Sequence, residues 1–211
     1  MKTKLLLIFA FTFLCITNSW SQVIEVSPTY GYQFGSKLNY GYNNYLKIEG
    51  SDQFGITVGV EADDYMMVDL TYVHQSTDLK IRDVIISPLE ERITDFSADW
   101  VLVGVTRYFS DGKVMPYFGG SLGGVFLTSK NVNYDIVNYE IDNHTRFAFA
   151  VKGGVNIMLT EVVGIKLQGD LFFPISWGGV YVGGGYGGVS VSGSTIIAGV
   201  SGGLVFRLGS S

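Results

Sequence analysis

Nine charged residues stand in segments that alternate apolar and polar side chains: Glu61, Asp69, Asp99, Arg107, Arg146, Lys152, Lys166, Asp170 and Arg207. They form one expected inward set, Asp99 and Arg107 from a segment whose two faces are hard to tell apart, and acids and bases are nearly balanced. Charges brought together in a narrow enclosed space must be paired or wet, because unpaired burial is expensive. Two kinds of chemistry follow. One is a structural network of ion pairs and water that plugs the interior. The other is a narrow ion path or gate lined by the same groups. Which acid meets which base depends on strand register.

Acid–base catalysis has two candidates, His74 and His144, the only histidines. His74 is followed by Gln75, Ser76, Thr77 and Asp78, which places hydroxyls and an acid near a base. A working site needs nucleophile and base within hydrogen-bond reach. No specific enzyme motif accompanies them, and a solvated histidine at the foot of a loop fits the same residues, so no catalytic residue is assigned. Asp78, Asp83, Glu90, Glu91, Asp135, Glu140 and Asp142 are scattered among Lys80, Arg82, Arg92 and Lys130. They lack the loop spacing of a calcium site, and a solvated surface is expected. Gly178–Gly188 contains Gly-x-Gly spacings, but no helix and no Lys-Ser/Thr pair follows, as a nucleotide loop requires. An aromatic-bearing surface loop with Trp177, Tyr181 and Tyr186 is the better reading. No metal and no cofactor are expected.

The elements that would position these residues read with a period of two. Phe147, Phe149, Val151, Val155, Ile157 and Leu159 oppose Arg146, Lys152 and Asn156. Val163, Ile165, Leu167, Leu171 and Phe173 oppose Lys166, Gln168 and Asp170. Ile196, Ala198, Val200, Leu204, Phe206 and Leu208 oppose Ser201 and Arg207. Earlier segments set Val26, Tyr30, Tyr32 and Phe34 against Glu25, Gln33 and Lys37. Phe54, Ile56, Val58 and Val60 stand against Gln53, Thr57 and Glu61, and Met66, Val68, Leu70 and Tyr72 against Asp69 and Thr71. Phe118, Leu122 and Phe126 face away from Ser121. One segment is ambiguous: Trp100, Leu102 and Tyr108 share a face, while Val101, Val103 and Val105 share the other with Asp99 and Arg107.

That makes eight segments, joined alternately by short and long connections. The short ones are Ala62-Asp63-Asp64, Ser110-Asp111-Gly112-Lys113 and Thr160-Glu161-Val162; the long ones fall near 38–51, 79–93, 129–143 and 174–194. This is the rhythm of an eight-stranded antiparallel up-and-down transmembrane β-barrel, with tight turns on one side of the membrane and longer loops on the other. Small residues inside and aromatics outside suit a lipid-facing exterior; a soluble sandwich, the alternative, would invert that pattern. Tyr65, Tyr108, Phe109, Tyr117 and Phe206, near strand ends, are expected to form an interfacial girdle.

Residues 1–21 read as an export signal, and 22–211 as the barrel domain. Lys2 and Lys4 precede an apolar stretch from Leu5 to Ile16, and Ser19-Trp20-Ser21 ends in a small residue. The alternative, a retained anchor, has too short an apolar run. Cys15, the only cysteine, lies in that stretch, so the mature chain has no thiol chemistry. Removing residues 1–21 takes away two lysines and no acid, leaving 12 bases against 19 acids, a net of −7. Nucleic acid is not an expected partner of so acidic a chain. Residues 171–206 carry no charge, yet their many glycines make a helix costly at about 1 kcal/mol each relative to alanine.

The Pro116-Tyr117-Phe118-Gly119-Gly120-Ser121-Leu122-Gly123 stretch after a tight turn, and the closing Gly203-Leu204-Val205-Phe206-Arg207-Leu208, resemble the small eight-stranded outer-membrane barrels of the OmpA, OmpX and OmpW types, in the style of Bacteroidetes-like Gram-negative bacteria. The resemblance implies residence in the outer membrane, with lipid and lipopolysaccharide as surroundings and the barrel-assembly machinery as a partner during biogenesis. It implies a structural, envelope-integrity or surface-interaction role through the loops at 38–51, 79–93, 129–143 and 174–194. The alternatives it leaves are a narrow channel for ions or small hydrophobic molecules, for which Val101, Val103 and Val105 suggest an apolar interior, and a lipid-modifying enzyme using His74 or His144. Many such barrels end on an aromatic; here Phe206 is the last, with Arg207 to Ser211 after it.

Overall fold

Strict apolar–polar alternation cannot be satisfied by a flat sheet in lipid, where every edge would leave backbone groups without partners; closure into a ring removes the edges. The computed structural model, which describes residues 23–41, 44–83, 87–131, 143–175, 180–182, 189–191 and 196–209, shows that ring. The strands are β1 (Ile24–Gln33), β2 (Ser36–Gly41), β3 (Asn44–Ile48), β4 (Ser51–Asp63), β5 (Met66–Asp83), β6 (Ser87–Tyr108), β7 (Val114–Lys130), β8 (His144–Met158), β9 (Val163–Pro174), β10 (Val180–Val182), β11 (Val189–Val191) and β12 (Ile197–Leu208). Hydrogen bonding runs β1-β4-β5-β6-β7-β8-β9-β12 and back to β1, eight antiparallel strands closed on themselves. The three expected tight turns join β4 to β5, β6 to β7 and β8 to β9. Tyr65 takes φ 65° in the first of these, a conformation uncommon outside glycine.

Two of the expected long connections are largely strand. The segment near 38–51 folds as the β2–β3 hairpin, with β3 pairing Tyr45 to Arg82 and Ile48 to Leu79 on the upper part of β5. The segment near 79–93 is the tip of the β5–β6 hairpin, paired as far as Asp83↔Ser87. Their mixed charges read as loop because a strand that has left the bilayer needs no apolar outer face; Ile81 and Ile93, both buried, are the remaining sign of an inner one. The ring thus continues above the membrane on one side as a four-stranded sheet, β2-β3-β5-β6. Of the other two long segments, 132–142 and much of 176–195 lie outside the described residues, and β10–β11 is a short hairpin within the second.

The faces settle the inside-out polarity. Outward side chains include Ile56, Val58, Leu70, Phe118, Leu122, Leu167 and Leu204, all exposed, while Glu25, Asp69, Lys152, Asn156, Lys166 and Asp170 are buried. An apolar exterior around a polar interior is the arrangement of a bilayer-embedded barrel. Outward aromatics concentrate at the looped end, with Tyr30, Tyr32, Phe34, Phe54, Phe126 and Phe147 exposed there.

Strand β6 resolves against the expected reading. Trp100, Leu102 and Tyr108 point into the lumen, each no more than 3% exposed; Val101, Val103 and Val105 face out. The apolar interior those valines suggested is therefore not theirs. Tyr108 of β6 and Tyr117 of β7 leave the expected girdle, since both are buried inside the ring, whereas Tyr65 and Phe109 are exposed.

Candidate functional site

The lumen is filled in two layers. Toward the short-turn end lies a charged layer built from six strands. Lys166 of β9 donates to Glu25 of β1 at 3.0 Å and to Ser27 Oγ at 3.2 Å. The Glu25 carboxylate also accepts from Tyr108 Oη at 2.7 Å and Ser27 Oγ at 3.2 Å. Asn156 of β8 donates to Tyr108 Oη at 3.1 Å. Alongside, Lys152 donates to Asp69 at 2.7 Å, and Asp69 accepts from Thr106 at 2.6 Å and Thr71 at 3.3 Å. Gln168 links Tyr117, whose hydroxyl donates to it at 2.8 Å, to Asp170, which accepts from its amide at 2.8 Å. Charge-assisted bonds of this number satisfy carboxylates and ammoniums that water no longer reaches. The space left between Glu25, Met67, Asp69, Tyr108 and Lys152 is about 10 Å³, the room of roughly one water.

Above it lies an apolar layer. Val73, Ala98, Trp100, Leu102, Val125, Ala148, Ala150 and Phe172 form one buried cluster, with Trp100 and Phe172 crossing the lumen at 4.7 Å between ring centroids. Half-buried Phe96, Leu127 and Ile197 continue it toward the looped end. An eight-stranded ring is just wide enough for side chains to fill, and this cluster shares its level with buried Gln33, Gln53 and Gln75 of β1, β4 and β5.

Of the nine charged candidates, Asp69, Lys152, Lys166 and Asp170 lie buried in the charged layer. Arg207 joins it at the lower rim, with Nη1 3.4 Å from Met115 Sδ and its guanidinium 5.8 Å from the Tyr108 ring. Glu61 and Arg146 share the inward parity but sit half-buried at opposite ends of the wall. Asp99 and Arg107 do not belong to the lumen: they are on the outward face of β6 with the valines. The reason is their height. Asp99 sits at the upper edge of the apolar belt and Arg107 at the lower, where an outward charge reaches headgroups or water. Glu25, the acid that most partners share, stood on the polar side of its segment in sequence. Nothing local in the sequence marks it as a network member, because Lys166 is 141 residues away.

His74 is also outward, with Nδ1 2.7 Å from Asp99 Oδ1. Ser76 shares its face two residues on, but among the described residues no hydroxyl is hydrogen-bonded to His74. His144 is exposed at the start of β8. The two histidines are not brought together.

Above the belt, the outer sheet carries its own ion cluster. Lys80 pairs with Glu49 at 2.8 Å, Lys47 with Glu49 at 3.4 Å and Glu90 at 3.6 Å, and Tyr45 donates to Glu90 at 2.6 Å. Arg92 bridges Asp95 and Asp78. The Lys80 hydrogen bond holds Glu49 below the usual carboxylate value, and the Tyr45 hydroxyl does the same for Glu90; Lys80 is raised in turn by Glu49. Lowered acids stabilise the fold at neutral pH and lose that contribution as pH falls through their folded values; a raised lysine loses its own as pH rises through its folded value. Amide protection of the β2–β3 hairpin, read by hydrogen exchange, is therefore expected to hold across neutral pH. It should fall once pH drops below the ordinary glutamate value of 4.5, and again above the ordinary lysine value of 10.5. Protection that is flat down to pH 3 would mean that the cluster does not hold the hairpin.

No family model and no curated protein matches the chain. Solved structures do. The outer membrane protein OprG from Pseudomonas aeruginosa superposes with a TM-score of 0.67 at 10% identity, over 90% of this chain and 97% of that one. Neisserial surface protein A gives 0.56 at 15% identity, over 88% and 97%. The outer membrane protein AlkL, determined in lipid bilayers, gives 0.52 at 14%, over 90% of each. At such identities the likeness is one of fold: the closed ring with its apolar exterior is that of an integral outer-membrane β-barrel.

Proposed function

We propose that this chain is a closed, non-conducting outer-membrane barrel that acts through its exposed side, as a structural or surface-contact protein of the envelope. The observation that carries this reading is the double filling of the lumen, charged below and apolar above. The charged layer offers an ion no continuous water path, and the layer above it is closed by the apolar cluster on one side and by buried Gln33, Gln53 and Gln75 on the other. What remains for function is the β2-β3-β5-β6 sheet and the loops beside it, whose alternating charges suit contact with a glycan, a lipopolysaccharide headgroup or another protein surface. Residues 1–21 fit this reading as the export signal; N-terminal sequencing of protein from the outer membrane is expected to begin at Gln22.

The test is conductance of the refolded protein in planar bilayers. No steps are expected from the wild type at moderate voltage. Steady steps that vanish on neutralising Lys152 or Asp170 would replace this reading with an ion path. A second reading has one observation in its favour, the apolar cluster that Phe96, Leu127 and Ile197 extend toward the outside. A small hydrophobic molecule entering from there would meet compatible walls. Vesicle uptake of an apolar fluorophore that depends on the protein, without conductance, would favour it.

A further inference from the structure

The lumen buries more acids than lysines. Glu25, Asp69 and Asp170 are buried in it against Lys152 and Lys166. Lys166 pairs with Glu25 at 3.0 Å and Lys152 with Asp69 at 2.7 Å, which leaves Asp170 over. Its register neighbour on β8 is Lys152, whose ammonium is turned to Asp69 instead. Arg207 stands against Val162, eight residues below Asp170 along the chain, about 26 Å at strand rise. Among the described residues no lysine or arginine lies within ion-pair distance of Asp170, and its carboxylate accepts one hydrogen bond, from the neutral Gln168 amide at 2.8 Å.

A second, independent observation lies across Gly199. Asp170 pairs with Gly199 of β12, and Gly199 with Gln33 of β1. Asp170 and Gln33 therefore face inward on either side of a residue with no side chain, two strand spacings or about 10 Å apart at the backbone. The amides of Gln33 and Gln53 hang over that residue. A Cβ on Gly199 would meet Gln53 Nε2 at 3.3 Å, Gln33 Cγ at 3.4 Å and Gln53 Oε1 at 3.5 Å. Gln33 is 0% exposed and Gln53 4%. Among the described residues neither polar atom of the Gln33 amide has a hydrogen-bond partner, nor has Gln53 Oε1, nor Ser201 Oγ two residues below Gly199 on the same face. Buried polar atoms are nearly always partnered, so a group of them on one wall points to something bound there.

The walls specify its chemistry. A water would serve the amides and leave the charge of Asp170 uncompensated. A proton on Asp170 would serve one amide oxygen and leave the other. A cation neutralises the acid and takes both amide oxygens as ligands, as carbonyl oxygens replace the water shell of an ion in a channel filter. Whichever way the Gln33 amide is turned, its oxygen can face Gly199. One carboxylate among neutral oxygens suits a single charge; calcium gathers about six to eight oxygens, commonly from several acids. Trp100 Nε1 is also unpartnered, but it is a donor on β6, four strands round the ring, and takes no part.

We propose that the lumen binds one monovalent cation, sodium or potassium, over Gly199, between the Asp170 carboxylate and the Gln33 and Gln53 amide oxygens. The ion sits where the charged layer meets the layer above it and is taken up as the ring closes. Its binding is an equilibrium property, separate from the surface role and from whether the lumen conducts.

The test is urea unfolding of the refolded protein, followed by the heat-dependent gel shift of a folded barrel. Sodium or potassium chloride is compared with N-methylglucamine chloride, whose cation is too large for the seat. At about 100 mM salt, a site of roughly 10 mM affinity lowers the unfolding equilibrium constant of the wild type about tenfold in the small cation. Asp170→Asn should abolish that difference, and Gln33→Leu, which breaks no hydrogen bond among the described residues, should remove most of it. If Asp170→Asn shows no gel shift, Gln33→Leu decides alone. Crystals grown with thallium(I) should show an anomalous peak between Asp170, Gln33 and Gln53. Equal unfolding in both salts would overturn the proposal. So would a difference that persists in either folded variant, which would place the ion elsewhere, and so would water at the seat without a thallium peak.

Discussion

Replacing Lys166 by methionine is expected to destabilise the folded barrel by about 3–5 kcal/mol, the loss typical when one partner of a buried ion pair is removed. Lys166 has 4% of its side chain exposed and Glu25 5%. Without the ammonium, Glu25 keeps its bonds to Tyr108 and Ser27 but becomes a buried, uncompensated negative charge beside Asp69 and Asp170. The penalty comes from what is left behind, so the double variant Glu25→Gln with Lys166→Met should recover most of the loss, because both charges then leave together. Urea unfolding of protein refolded in vesicles, followed by the heat-dependent gel shift, reads both. A single-variant loss below about 1 kcal/mol, as for an exposed pair, would mean that water reaches the charged layer. The sealed lumen would then be wrong at its lower half.

Trp100→Ala should cost a similar amount, about 3–5 kcal/mol, by a different mechanism. Trp100 is 1% exposed and spans the lumen to Phe172, so truncation removes the largest side chain of the apolar layer and leaves a hole that strands fixed by backbone pairing cannot collapse around. The two layers act in series. Trp100→Ala is thus expected to weaken the barrel while leaving it non-conducting, since the charged layer below is intact. Conductance appearing in this variant alone would place the whole seal in the upper layer. Phe172→Leu, which keeps more of the volume, should lose distinctly less stability.

Seven of the eight ring strands present in the sequence the faces they have in the structure. Each places small, polar or charged residues on one parity and large apolar ones on the other, and lipid against lumen enforces that contrast. Strand β6 does not, because its inward residues build the apolar layer and its outward residues face lipid, so both parities are apolar. Charge then misleads: Asp99 and Arg107 mark the edges of the belt rather than the lumen. Tyr108 and Tyr117 read as interfacial rings because position along a strand is visible in sequence, whereas the inward side chain that needs their hydroxyl is not. Glu25 finds Lys166 only through the β1–β12–β9 register, which no local pattern encodes. The outer sheet stayed hidden because its strands, outside the bilayer, shed the apolar face by which strands are recognised.

The β1–β12 seam has a temporal consequence. Seven of the eight ring pairings join strands that follow each other along the ring's chain order, and each is able to zip as soon as its second strand exists. The eighth unites Ile24 with Leu208 and must wait for the last strand to be delivered. It closes the longest loop, the slowest kind of contact to form. The same seam is interrupted on the β12 side at Ser27 and Pro28, where proline supplies no N–H, and beyond the gap Thr29 resumes against Gly203. A Cβ on Gly203 would lie 2.0 Å from the Pro28 carbonyl oxygen, so the two strands meet there at bare-backbone distance. The molecule therefore has a built-in latch: the joint made last is also the least stitched, and it is where a nascent barrel stays open longest to whatever assembles it.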